Sequence, residues 1–460
     1  MESAAEHGKP RQREAGYSAA MQSTHFAAPA AILQLLECLQ RDGHEAVLAG
    51  GCIRDLLRGA PVRDWDIATS ARPERSLVLF PRAVPTGLRH GAIMAPCAAG
   101  PVDVTTFRGA SLAEDLARRD FTINAMAWDP LRNAWHDPHG GRADLAAQTL
   151  RAVGRAENRL AEDPLRALRA ARFLAALNLR MDPALREALP GAAEALAQVA
   201  PERIRSELER LLLAPQAGRG ISLLRHSTLE AALLPGVRAD AAALVQLLPA
   251  DLELRLAAWL RGAGSGALAR WRFPKNRARN TERLLALHPV DRWPSADAAM
   301  RRLRKRAGSE ENLGRLFALR EAELQLAEEQ LRRAATSEMQ TAEMQLRGAT
   351  DAAQSESPQN TAPQSAAEIA RAREKLAALR AALKRTRGHA ISAAALALDG
   401  RAVMEILGIG PGPMVGRALR HLLECVLEDP AQNQPGALRA LLCAWRGAQT
   451  PPLSRRGGSQ

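Results

Sequence analysis

Residues 50–67 read Gly50-Gly51-Cys52-Ile53-Arg54-Asp55-Leu56-Leu57-Arg58-Gly59-Ala60-Pro61-Val62-Arg63-Asp64-Trp65-Asp66-Ile67. The glycine pair opens a short helix carrying Arg54 and Asp55, Gly59-Ala60-Pro61 makes a turn, and Asp64-Trp65-Asp66-Ile67 has the form of a short strand. Strand side chains alternate between faces, so Asp64 and Asp66 are expected to project side by side. Carboxylates this close raise each other's pKa unless a cation sits between them. Mg²⁺ suits them, because it takes hard oxygen ligands and leaves positions for phosphate. Gly50 and Gly51 bring bare backbone N–H groups to a helix N-terminus, where a triphosphate can be held. A buried strand at residues 45–49 feeds the pair. A phosphate cradle and paired carboxylates in one unit imply the chemistry of metal-assisted nucleotidyl transfer. The bland alternative, a turn followed by a solvated acidic loop, fits either half taken alone.

Working outward, the chain has 460 residues, enough for several domains, and 47% are hydrophobic, enough for real cores. Abundant Ala, Leu and Arg favour helix. The formal charge of +13 prepares a protein to meet a polyanion, although arginine-rich composition alone would also produce it. Aromatics are only 3%, which argues against a base-stacking platform, so any RNA is expected to bind mostly through backbone and shape. Cys38, Cys52, Cys97, Cys425 and Cys443 have no metal-ligand spacing and read as reduced thiols of a cytoplasmic protein. No stretch is long and apolar enough to span a membrane, and the first residues lack the apolar core of a secretory signal.

Residues 29–41 read as an amphipathic helix, and short strands are expected near 64–69, 82–86, 92–96 and 102–107. From about residue 159 the pattern becomes helical. In Leu116-Ala117-Arg118-Arg119-Asp120-Phe121-Thr122-Ile123-Asn124-Ala125-Met126-Ala127, arginines suited to phosphate bracket an apolar turn together with Asp120 and Asn124, which can bond ribose hydroxyls. A salt-bridged surface turn is the default for the Arg-Arg-Asp part alone. Val102 to Arg108 alternates like a strand that places Asp103, Thr105 and Phe107 on one face. Glu162-Asp163-Pro164-Leu165-Arg166 opens a helix with acidic residues in its first turn and Pro164 at the first helical position. Arg166, Arg169 and Arg172 recur every three residues on one broad face. That row is either an ion-paired surface or a reader, in which Asp163 and Arg166 present acceptors and donors to a base edge while Arg169 and Arg172 hold phosphates. His136, Asp137 and His139 lie together in sequence, but further ligands are not evident and a structural loop is the better reading.

These segments together resemble the class II tRNA nucleotidyltransferase and bacterial poly(A) polymerase family. The resemblance runs over residues 29–235 and, more weakly, 391–447. It implies an α+β fold, with a nucleotidyltransferase-type small mixed β-sheet head followed by an all-helical neck, body and tail. The implied layout is a disordered N-terminal tail (1–25), head (26–150), neck carrying the base-selecting motif (151–215), body (216–347), disordered linker (348–366), tRNA-binding tail (367–450) and disordered C-terminus (451–460). Under it, Asp64 and Asp66 hold Mg²⁺, and Asp103 is a third carboxylate near the metals. Gly50, Gly51 and Arg54 hold the triphosphate, while Arg119, Asp120 and Asn124 position ribose and phosphate. Asp163 and Arg166 select CTP and ATP without a template, beside Arg169 and Arg172. Pro201 to Leu208 braces the preceding helix, and the glycines at 400–416 belong to a module that meets the tRNA elbow.

The implied activity is addition of CC or CCA to the tRNA 3′ end. The Thr106 to Leu116 connection is short for a relative that adds the full CCA, which favours CC addition and a separate A-adding enzyme in the same cell. The segment Pro85 to Gly91 looks like the tRNA-specific branch. The rival readings are a poly(A) polymerase, a non-catalytic RNA-binding relative on the same fold, and an enzyme acting on small nucleotides.

Overall fold

The structure, a computed structural model, describes residues 27–87, 91–346 and 365–449. The expected tails, most of the expected 348–366 linker, and Leu88-Arg89-His90 lie outside the described residues. The chain divides into two compact units, residues 1–237 and 238–460.

The first unit is built on seven strands: β1 (Ala46–Ala49), β2 (Trp65–Thr69), β3 (Val84–Gly87), β4 (Ala92–Cys97), β5 (Gly100–Thr106), β6 (Ala127–Asp129) and β7 (Ala134–His136). They form one mixed sheet in the order β3-β4-β5-β2-β1-β6-β7. The β2–β5 pair is parallel and its register sets Asp66 opposite Asp103; the remaining pairs are antiparallel. The β6–β7 hairpin was not foreseen from the sequence. Each of its strands is too short to show a period, and it is held by stacked Trp128 and Trp135, with centroids 5.5 Å apart.

On one face of the sheet, Val47, Ala49, Ala68 and Ala127 pack under Leu112 and Leu116 of the helix Leu112–Ala117. Phe107 joins that core. This corrects the expectation that Phe107 shares a face with Asp103, because β5 ends at Thr106 and the alternation stops with it. Ser111 caps the Leu112–Ala117 helix by accepting from the Glu114 N–H, so only residues 107–111 separate strand from helix.

The neck supplies the helices Ala156–Glu162, Leu165–Leu177 and Pro201–Leu212. Here a second expectation is corrected. Glu162 ends the first of these helices, Asp163 sits extended at the joint, and Pro164 is the N-cap of the next, whose first turn carries no acid. The physical reason is steric, since a residue before proline is pushed out of the helical region.

The second unit is helical, from Ala241–Leu247 through the long Glu310–Leu346 helix to Pro435–Gln449. The helix Ala366–Arg385 starts with a capping box at Ser365, so residues 365 and 366 belong to it rather than to the expected linker. Buried Val403, Leu407, Leu422, Val426 and Leu438 form the core of the end module. Buried Arg301 donates to the carbonyls of Leu427 and Glu428, 2.6 Å each, at the C-terminus of the Pro413–Glu428 helix. The cation thus meets unpaired carbonyls at the negative helix end.

Glu323 is the charged centre of the second unit. It accepts from Arg261, from His288 Nε2 at 2.9 Å and from Arg320 at 3.0 Å. Burial alone would raise its pKa; the His288 bond and charge, with Arg261 and Arg320, more than offset this and hold it at about 2. A folded pKa below the unfolded one gives stability that is present above about pH 4.5 and is lost as pH falls towards 2. Glu323→Gln should therefore unfold more easily than the parent at pH 7, by roughly 3 kcal/mol. In urea titrations at stepped pH the gap should close below pH 4. A constant gap from pH 7 to pH 3 would show that the network is not held by this ionisation.

Candidate nucleotide site

Gly50 is the pivot of the site. Its φ of 88° and ψ of −129° turn β1 into the helix Gly51–Leu57, a conformation that suits glycine. A Cβ there would stand 2.5 Å from Nη1 of Arg119, so the missing side chain lets a guanidinium lie directly over the turn. Gly51 keeps the first N–H groups of the helix uncovered, with Arg54 and Asp66 as its nearest side-chain neighbours.

Asp66 is half-buried on β2, while Asp64 is exposed one residue before that strand begins. Burial, then the charges of Asp103 and Asp64, push Asp66 up to about 6 against the opposing pull of Arg119 and Arg54. Burial and Asp64 likewise raise Asp103. Three acids crowd one another here, which is the electrostatic condition a divalent cation relieves. Among the described residues no group of three His, Cys, Asp or Glu side chains is set to hold a metal ion by itself. The donor chemistry therefore fits a hard cation that takes two carboxylates and completes its shell with phosphate and water oxygens.

A cavity of about 480 Å³ opens beside this strand. Its walls carry eight arginines (54, 108, 119, 166, 169, 172, 203 and 210) against four aspartates (66, 115, 120 and 163). That imbalance favours a polyanion. Gly50, Gly51 and Asn124 also line it, whereas Asp64 and Asp103 do not.

The walls are wired through Asp120, which is buried. One of its oxygens accepts from the Phe121 N–H at 2.8 Å and from Asn124 Nδ2 at 3.0 Å. The other accepts from Arg169 through Nε at 2.8 Å and Nη2 at 2.6 Å. Burial would raise this carboxyl, but the Arg169 charge and these bonds hold it below the usual range. Asn124 turns its own carbonyl to Arg54 Nη1 at 2.7 Å. Arg54 is also forked onto Asp55, at 3.0 and 2.9 Å. On the neck side Glu207, buried on Pro201–Leu212, accepts from Arg169 at 3.4 Å and Arg172 at 2.5 Å. Phe173 supports the cluster, with the guanidinium carbons of Arg172, Arg54 and Arg169 at 4.0, 5.3 and 5.6 Å from its ring centre.

Sequence reasoning overlooked Asp115, Arg203, Arg108 and Arg210. Asp115 is buried, accepts Arg119 through Nε and Nη2 at 3.0 and 2.9 Å, and takes the Arg108 N–H at 3.1 Å. The i, i+4 spacing of Asp115 and Arg119 was the available signal. Asp163 accepts from Arg203 at 2.8 Å, while Arg166, also on the cavity wall, donates to Glu162 and to the carbonyls of Arg159 and Arg118. The Asp137 carboxylate accepts the N–H groups of Gly141 and Arg142, at 2.6 and 3.0 Å, so that segment is a structural loop.

A mixed sheet with a glycine-led helix, acids on adjacent parallel strands and an arginine-walled cavity define a nucleotidyltransferase-type head. Comparison with known proteins finds matches to two regions of the chain. Residues 46–151 match the poly A polymerase head domain, and residues 178–240 match the probable RNA and SrmB-binding site of polymerase A. In these regions the chain is similar to the tRNA nucleotidyltransferase and poly(A) polymerase family. It is 37% identical over 245 residues to the CCA-adding enzyme of Geobacillus stearothermophilus, covering 50% of this chain and 58% of that protein. It is 38% identical over 246 residues to the CC-adding tRNA nucleotidyltransferase of Shouchella clausii, covering 52% of this chain and 65% of that one. The alignments thus span about three-fifths of these relatives' length. The crystal structure of the Bacillus stearothermophilus CCA-adding enzyme in complex with CTP superposes with a TM-score of 0.67 at 28% identity, over 92% of this chain and 99% of that one. The Thermotoga maritima CCA-adding enzyme complexed with tRNA shares the fold, with a TM-score of 0.59 at 17% identity over 93% and 98% of the two chains.

Gly50→Ala tests the pivot. A Cβ at positive φ, close to Arg119, should destabilise the protein by about 1–2 kcal/mol and weaken CTP binding about tenfold or more. Thermal unfolding and calorimetric titration with CTP measure the two effects. Unchanged CTP affinity would show that the Gly50–Arg119 approach has no part in binding.

Proposed function

We propose that this protein is a tRNA nucleotidyltransferase that adds two C residues to the 3′ end of tRNA, without a template. The observation that carries this reading is the single cavity in which eight arginines and the glycine turn meet Asp66. A triphosphate fits the arginine-rich side, and the acids crowded around Asp66 fit metal ions at its edge.

In this reading Gly50, its own N–H held by the Met126 carbonyl, sets the turn, Gly51 donates its backbone N–H to the triphosphate, and Arg119, oriented by Asp115, lies over it. Arg54, tied to Asp55 and Asn124, fixes the far wall rather than swinging free. Asp120 and Asn124 set the ribose side, with Asp120 acting mainly as the hub between them and Arg169. Asp163 and Arg166 meet the base, and Arg169 and Arg172 lend positive charge from the neck. Asp64 and Asp66 would hold the metal ions, for which Mg²⁺ has the matching chemistry, and Asp103 stands beside them. Ions held there would supply Lewis-acid activation of the primer hydroxyl and charge neutralisation at the departing pyrophosphate. The head (26–150) and neck (151–215) carry this chemistry, and the body (216–347) and tail (367–450) grip tRNA.

Addition of CC rather than CCA follows from the connection between β5 and the next helix. It is five residues long (107–111), Asp115 fastens it at Arg108, and Glu114 accepts from the Ala110 N–H. A segment so short and so tied has little freedom to rearrange the pocket for ATP after two additions. The A would then be added by a separate enzyme of the same cell.

The test is extension of a tRNA lacking its 3′ CCA with CTP, ATP or both, run in parallel on a tRNA ending in CC. Two C additions and no A on either substrate are expected. A completed CCA end would overturn the CC assignment, and long A tracts would move the protein to the poly(A) polymerases. Asp66→Ala should lower incorporation by at least about a thousandfold, as loss of metal and charge stabilisation implies, while tRNA binding in a filter assay stays within about twofold. Undiminished turnover in that variant would remove Asp66 from the chemistry.

A further inference from the structure

We propose that a second cavity, lined by residues between 238 and 330, is a binding site for a small dipolar ion with an aliphatic body, the chemistry of an aliphatic α-amino acid. This cavity shares no lining residue with the nucleotide cavity and stands independently of the nucleotide reading.

The cavity measures about 940 Å³, at the upper end of the roughly 300–1,000 Å³ that sites for small ligands span. One wall is the charged network around Glu323. Arg320 donates to Glu323 at 3.0 Å and to Asp291 Oδ2 at 2.9 Å, and His288 donates to Glu323 through Nε2 at 2.9 Å. Arg261 bonds Glu323 and lies 3.1 Å from Asp240. These side chains are nearly enclosed: Arg261 is 7% exposed, His288 10% and Arg320 11%.

Apart from Arg261 Nη2, which Asp240 faces, three buried atoms of this network have no hydrogen-bond partner among the described residues: His288 Nδ1, Arg320 Nε and Asp291 Oδ1. All three residues line the cavity. Buried polar atoms are costly unless something meets them. Arg320 Nε can only donate, and Asp291 Oδ1, a carboxylate oxygen, accepts. With Nε2 donating to Glu323, His288 Nδ1 accepts in the neutral ring. Because Arg320 bonds Asp291 directly, one wall offers a donor for a carboxylate next to acceptors for an ammonium group.

The rest of the lining narrows the ligand. Four arginines and His288 stand against four carboxylates, so this cavity lacks the twofold arginine excess of the nucleotide cavity and is not built for a polyanion. No Phe, Tyr or Trp is among its lining residues, so it holds no ring on which a base could stack. Leu260, Leu285, Pro289 and Leu326 supply an aliphatic surface instead. A ligand with one carboxylate, one ammonium and an aliphatic side chain matches all three features. Its carboxylate meets Arg320, its ammonium meets Asp291 and His288, and its side chain covers the leucines.

Thermal unfolding of the full chain in the presence of valine, leucine, isoleucine or methionine tests this. At least one of them should raise the thermal midpoint by about 2 °C or more at about 10 mM, with saturation. Its methyl ester, which lacks the carboxylate charge, and the matching acid without the amino group should each bind about tenfold more weakly. Asp291→Asn should bring the amino acid and its deaminated analogue within about twofold of each other, because the ammonium has lost its charged partner. Ala286→Phe, at an exposed position on the cavity lining, should fill the mouth and abolish the shift, with the ligand-free midpoint within about 2 °C of the parent. No shift with any of the four amino acids would leave the cavity to water alone and overturn the proposal. Equal binding of the singly charged analogues, or an undiminished shift in Ala286→Phe, would overturn it as well.

Discussion

The ion pair between Asp120 and Arg169 is the interaction on which the site depends. Asp120 leaves the apolar turn after the Leu112–Ala117 helix, and Arg169 stands on the neck helix, so the pair joins the head to the neck at the cavity wall. A buried carboxylate is costly without partners. Here it has four donor contacts from three residues, Phe121, Asn124 and Arg169. Through Asn124 it sets Arg54, and through Arg169 it meets Glu207 and the helix that carries Arg203. The arginines repel one another, and Phe173 with the four aspartates of the cavity makes their crowding tolerable. The excess positive charge that remains is what a triphosphate would neutralise.

This wiring explains why the two halves of the site can be built from distant parts of the sequence. The sheet sets Asp66 and Asp103 in register on parallel neighbours. The glycine turn aims backbone donors at the same space, and the neck closes it from the other side. In the proposed reading, metal, triphosphate and base would each meet a different wall of this cavity.

Much of this was legible in the sequence because the motifs are local. The glycine pair and the arginine row each fit within a few residues and line the cavity, and Asp66 falls on β2, whereas Asp64 precedes that strand and does not line the cavity. What escaped detection was long-range pairing. Nothing near Glu207 in the sequence reveals that it accepts from Arg169 and Arg172, and nothing near Asp163 reveals that Arg203, forty residues away, is its partner. Phe107 was misplaced because a strand's end cannot be read from alternation, and the acids at 162–163 because proline shifted the helix start by one residue. The short β6 and β7 strands had no period to read.

The most direct measurement is a crystal structure of the protein soaked with CTP and Mg²⁺. The account predicts the triphosphate over Gly50 and Gly51 beneath Arg119, metal at Asp64 and Asp66, and the cytosine edge against Asp163. A nucleotide bound outside the arginine-walled cavity, or bound there with its base turned away from the neck, would contradict it.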